Sequence, residues 1–234
     1  MSLWSAEPPV LAIAPGSAAL LRRRGGKKEI VVSEQRDPTR LLPQLETLFG
    51  KGEWKTGQVD VVFSHKLVRH VLTAPPGKAL KSIEEIALAR AALIDVFGEE
   101  ASAWRVRTLS QPPQYGILGA GVDEALCGGL ENLGQRHGWT ARLRPLAAAL
   151  PEARGAASAD AWFVVEPGWA TLFLGARGHW RHVAARAIGD DWREALPEWL
   201  ARAADSHGFK PRQPQALVQT VGLASAKPPA LEGW

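Results

Sequence analysis

The chain has 234 residues, of which 46% are apolar and 22% charged, with a net charge of +4. That composition suits one large or two small folded domains and excludes a disulfide-stapled miniprotein, a disordered chain and a collagen-like repeat. No stretch approaches the roughly 18 consecutive apolar residues that a spanning helix needs, and the opening MSLWSAEPP lacks the basic and apolar regions of a secretory leader. Cys127 is the single cysteine, which excludes an internal disulfide or a multi-cysteine zinc site and points to a reducing cytoplasm. The ten tryptophans are scattered from Trp4 to Trp234 without a repeat and read first as core and groove-lining residues.

In chain order, the first elements form a three-stranded meander. Residues 10–21, VLAIAPGSAALL, are two apolar runs around a Pro-Gly turn, and a basic turn with Gly25-Gly26 leads to a third strand, Glu29 to Ser33. An amphipathic helix over 38–49 carries Leu42-Pro43 near its start, and an apolar strand follows from Val59 to Phe63. The same order returns late in the chain. Residues 162–173, WFVVEPGWATLF, repeat the two runs and the Pro-Gly turn. A third strand, Trp180 to Ala185, a helix over 190–205 with Leu196-Pro197, and a strand from Ala216 to Val221 complete the second copy. The unit is β-β-β-α-β, used twice.

Between the copies the pattern predicts a β-α-β-β-α-β module. It has a strand from Leu67 to Thr73 and a helix opened by a Ser82/Glu85 capping box and stopped by Gly98. The buried face of that helix is predicted at Ile83, Ile86, Ala87, Leu93, Ile94 and Phe97. Strands Trp104 to Leu109 and Tyr115 to Ala120, a helix from Asp123 to His137 and a strand from Thr140 to Leu143 follow. The expected domains are a first half over 1–66, the module over 67–146, a connector over 147–160, a shortened second half over 161–225 and a tail over 226–234.

This layout of duplicated β-β-β-α-β halves around an inserted α/β module resembles the actin-like (RNase H-like) α/β superfold, and within it the PilM-type pilus assembly proteins and the GspL-type cytoplasmic domain of type II secretion systems. In nucleotide-binding members the first turn of each half carries an Asp-x-Gly loop that faces phosphate and organises magnesium. The corresponding turns here are Ala14-Pro15-Gly16-Ser17 and Glu166-Pro167-Gly168-Trp169. The first has no carboxylate, and each proline removes a backbone N–H from the anion nest. The loop expected to hold adenosine, Val221 to Ser225, keeps one glycine. Pro15, Gly16, Ser17, Glu166, Pro167 and Gly168 therefore read as vestigial phosphate loops, with no cofactor and no enzymatic activity expected.

The resemblance implies a scaffold, peripheral at the cytoplasmic side of the inner membrane, whose partners are tails of inner-membrane pilus or secretion assembly proteins and a motor ATPase, with self-association an open question. Tail binding is expected in a groove between the module and the first half, at Arg69 and His70. The alternative is an actin-fold ATPase or sugar-kinase-like phosphotransferase using ATP and magnesium through divergent loops. A second alternative is a nucleic-acid or membrane-surface module using the basic tip Arg22, Arg23, Arg24, Lys27 and Lys28; the mild net charge argues against nucleic acid.

Other candidate sites yield to plainer readings. The Lys55-Thr56 pair lacks the preceding glycine of a phosphate loop, since Trp54 sits there. His179 and His182 are three apart in a strand and point to opposite faces. Asp190 and Asp191 suit a helix start. Cys127, beside Gly128 and Gly129, suits close packing, and Ser17 lacks the second glycine of a nucleophile elbow.

Overall fold

A computed structural model describes residues 8–24, 27–34, 41–50, 57–149, 161–208 and 214–218. The elements in chain order are β1 (Val10–Ala14), β2 (Ser17–Arg24), β3 (Lys27–Glu34), α1 (Leu41–Gly50), β4 (Gln58–Phe63), β5 (Arg69–Leu72), α2 (Ser82–Phe97), a 3-10 turn (Glu99–Ala103), β6 (Trp104–Leu109) and β7 (Leu118–Asp123). They continue with α3 (Glu124–His137), β8 (Thr140–Pro145), α4 (Leu146–Ala149), β9 (Ala161–Glu166), β10 (Trp169–Ala176), β11 (His179–Ala187), α5 (Trp192–Ser206) and β12 (Pro214–Val218). They gather into two units, one of residues 1–67 with 124–149 and one of residues 68–123 with 150–234.

The first unit is built on a five-stranded sheet in the order β3-β2-β1-β4-β8. The meander is antiparallel, whereas β4 runs parallel to both β1 and β8. Here the module boundary expected at 67–146 is corrected: α3 and β8 belong to the first sheet, and only β5, α2, β6 and β7 form the separate piece. The physical reason is that β4 is buried along most of its length and needs a strand on each side. Charge fixes the neighbour, because Asp60 of β4 pairs with Arg142 at 3.2 Å and Arg144 at 3.6 Å, both on β8. Helices α1 and α3 pack together where Gly129 leaves room for Leu42, and Phe49 of α1 stacks on Trp139 at 4.8 Å.

In the second unit, β5, β7 and β6 form an antiparallel three-stranded sheet beneath α2. Gly119 and Gly121 admit the helix: a Cβ on Gly119 would lie 2.8 Å from that of Ala89. Two helix details differ from the sequence reading. The Lys81 N–H donates to the Glu84 carboxylate at 2.7 Å, so the cap forms one residue earlier than Ser82/Glu85. Glu85 is instead buried and accepts a hydrogen bond from the Ser110 hydroxyl at 2.6 Å. Of the predicted face, Leu93 is buried and Ile86, Ile94 and Phe97 pack against the same core beside Ala89, while Ile83 and Ala87 point to solvent. A buried carboxylate is tolerated there because it has a hydrogen-bond partner.

The second unit also holds a sheet in the order β11-β10-β9-β12, with an antiparallel meander and a parallel last strand. Order and directions match β3-β2-β1-β4 of the first sheet. One face packs Phe163, Val165, Leu172 and Leu174 against Leu196, Trp199 and Leu200 of α5. Arg186 lies over the Trp199 ring at 4.4 Å. Asp191 precedes this helix, but its side chain makes no capping bond; its carbonyl accepts the N–H groups of Glu194 and Ala195 instead. Helix α5 begins at Trp192, which puts Pro197 in its second turn.

Candidate functional site

The two Pro-Gly turns have one geometry. Ala14 pairs with Ser17 and Glu166 with Trp169 across two-residue connections. Gly16 at φ 73° and Gly168 at φ 71° take the left-handed backbone that a turn with proline at its first central position requires of its second. Local sequence thus dictates each turn, because Pro15 and Pro167 fix one dihedral and glycine alone accepts the next without strain. Chemically they differ. The first turn offers a hydroxyl from Ser17 and no carboxylate. The second ends in Glu166, which is 3% exposed and engaged within the fold. Moreover, the Gly168 carbonyl accepts the Ile188 N–H at 3.3 Å, so part of this turn's backbone is committed to the adjoining strand. Among the described residues no group of three or more His, Cys, Asp and Glu side chains gathers to hold a metal.

Arg69 and His70 are both drawn into their own unit. The Arg69 guanidinium sits 5.5 Å from the Trp169 ring centre and 5.9 Å from that of Phe97. His70 meets the Phe173 ring edge-on at 5.4 Å, and burial pushes its pKa down to about 4. On a strand, residues 69 and 70 face opposite ways, so they grip the second half at two places. The basic tip has a described backbone, with Arg22 opposite Glu29, Arg23 opposite Lys28 and Arg24 opposite Lys27. Its side chains and Gly25-Gly26 lie outside the described residues, as do Lys51 to Thr56 and Val221 to Ser225. His179 and His182 serve different partners: the His179 ring packs tilted against Tyr115 at 4.4 Å and the His182 ring against His207 at 4.4 Å. Burial and the neighbouring His207 lower the pKa of His182. Cys127 is buried in α3.

Sequence reasoning missed the residue that ties the small module to the second sheet. The Gln111 side chain accepts the Trp180 N–H at 2.6 Å and donates to the carbonyls of Gly116 at 2.6 Å and Trp180 at 3.3 Å. It thereby pairs with the β11 backbone much as a strand residue does. Beside it, Arg181 covers the Tyr115 ring at 4.3 Å, while Trp162, Phe173 and Trp180 form an aromatic cluster. The signal was present in the Gln-Pro-Pro-Gln loop, where two consecutive prolines after Gln111 restrict the backbone that carries it, but nothing in the sequence named its target.

No protein-family model and no curated protein matches the sequence. Solved structures do match. A protein of unknown function with an actin-like ATPase fold from Bacteroides thetaiotaomicron superposes with a TM-score of 0.55 at 10% identity, covering 96% of this chain and 86% of that one. The cytoplasmic domain of EpsL, an inner-membrane component of the type II secretion system of Vibrio cholerae, gives 0.52 at 14% identity over 94% of this chain and 85% of that one. A PilM–PilN type IV pilus biogenesis complex gives 0.52 at 15% identity, covering 85% of this chain and 66% of that one. The chain has an actin-like ATPase fold, similar to those of the EpsL cytoplasmic domain and PilM.

Proposed function

We propose that the chain is a non-catalytic actin-like scaffold of a type IV pilus or type II secretion assembly machine, peripheral at the cytoplasmic side of the inner membrane and binding the cytoplasmic tails of inner-membrane proteins. The two β-β-β-α-β sheets are the duplicated halves of the superfold, and β5, α2, β6 and β7 are the inserted piece. The observation that carries the reading is the chemistry of the two turns on this fold. A phosphate-and-magnesium site needs open carboxylates and free backbone donors, whereas Ala14 offers none and Glu166 is buried. A fold that keeps its sheets but not these groups retains a shape for assembly. The test is fluorescence anisotropy with labelled cytoplasmic tails of the host's inner-membrane pilus and secretion proteins. Saturable binding to one of them is expected, and no binding to any would contradict the proposal.

The rival reading, an ATP- and magnesium-dependent phosphotransferase, draws on the superfold alone. The basic-tip alternative predicts association with anionic vesicles or nucleic acid that falls steeply with salt and with reversal of Arg22 to Arg24.

A further inference from the structure

Helix α5 ends against the outer strand of its own sheet, and two imidazoles meet there. His182 stands on β11 opposite Leu174, on the face that α5 covers, while His207 is the residue that closes the helix. Their ring centres lie 4.4 Å apart with the planes tilted by 39°. His182 is half-buried and His207 exposed, so the sheet fixes one ring and solvent reaches the other. Neither imidazole is engaged by a hydrogen bond or ion pair with another described residue.

Two imidazoles in contact are a poor pair for protons and a good one for a metal. A proton on one ring repels a proton on the other, whereas a single divalent ion accepts a lone pair from both. With bonds of about 2.1 Å, two nitrogens on one tetrahedral ion lie about 3.4 Å apart. Ring centres 4.4 Å apart permit that spacing, because each ring nitrogen stands about 1 Å from its centre. The setting favours a cation as well. The last carbonyls of the 15-residue α5 carry the negative end of its dipole, and Asp205 in the same turn adds an exposed carboxylate. Imidazole nitrogen suits zinc, nickel and copper, whereas magnesium and calcium take oxygen. We infer that His182 and His207 form a site for a divalent transition-metal ion, which ties the end of α5 to the outer strand of the second sheet. Structural sites use four protein ligands; two ligands, with solvent completing the shell, make an exchangeable one. The inference stands independently of the scaffold reading.

Isothermal titration of the untagged full chain with nickel chloride at about pH 7.5, where imidazole is mainly neutral, tests it. One ion per chain is expected. The melting temperature should rise by about 3–6 °C at a free nickel concentration ten times the dissociation constant. His207→Ala, at an exposed position, should leave the circular dichroism unchanged and weaken binding at least tenfold. His182→Ala should weaken it as much, while His179→Ala, whose ring packs on Tyr115, should leave it as it was. Calcium chloride should give no saturable heat. Absence of saturable nickel binding, binding indifferent to His207→Ala, or equal binding of calcium would each overturn the inference and leave the pair a plain ring contact.

Discussion

The two sheets share strand order and direction but not burial. Along β1 the residues alternate between buried and half-buried, whereas every residue of β9 is buried. The first pattern belongs to a strand with one covered face and the second to a strand covered on both. In the second sheet, α5 covers one face, while Trp162 and Phe173 on the other meet Trp180 and His70. One topology therefore serves as an open sheet in one place and as an inner layer in the other, and the small module accounts for the difference.

The largest expected effect comes from truncating the doubly covered strand. Trp162→Ala should cost about 3–5 kcal/mol in urea unfolding, while Val10→Ala, at the corresponding place on β1, should cost about 1 kcal/mol or less. Equal losses would refute the contrast. Next is the acid response of the contact beneath the module. His70 takes up its proton at about pH 4 when folded, against about 6.5 when unfolded. Between these values only the unfolded chain binds the proton. Stability from this group is thus intact above about pH 6.5 and declines as pH falls toward about 4, by at most about 3 kcal/mol. His70→Gln should flatten that decline, and an unchanged profile would show that His70 does not supply it. A smaller effect, about 1–3 kcal/mol, is expected for Gln111→Ala, which strips the Trp180 N–H of its partner. Hydrogen exchange at Trp180 should speed up while exchange along β1 stays as it was.

Much of this was legible in the sequence. WFVV against LAIA already distinguishes a doubly buried strand from a half-buried one, and Pro-Gly at the same place in each meander announced the shared turn. The actin-like layout followed from element order. Edge choice was not legible: β8 continues in sequence from the module, yet pairs with β4 through Asp60, Arg142 and Arg144, a contact between distant positions. Nor was the burial of Glu85 on α2, because it depends on the Ser110 hydroxyl just beyond β6. Arg69 and His70, polar groups in an apolar strand, were expected to bind a partner's tail. They became packing residues through rings on Phe97, Trp169 and Phe173, none of them adjacent in sequence.

The proposed scaffold role needs no bound nucleotide. Isothermal titration of the folded chain with ATP and magnesium tests it most directly. No saturable heat is expected; micromolar binding that disappears in Glu166→Ala would contradict the scaffold proposal.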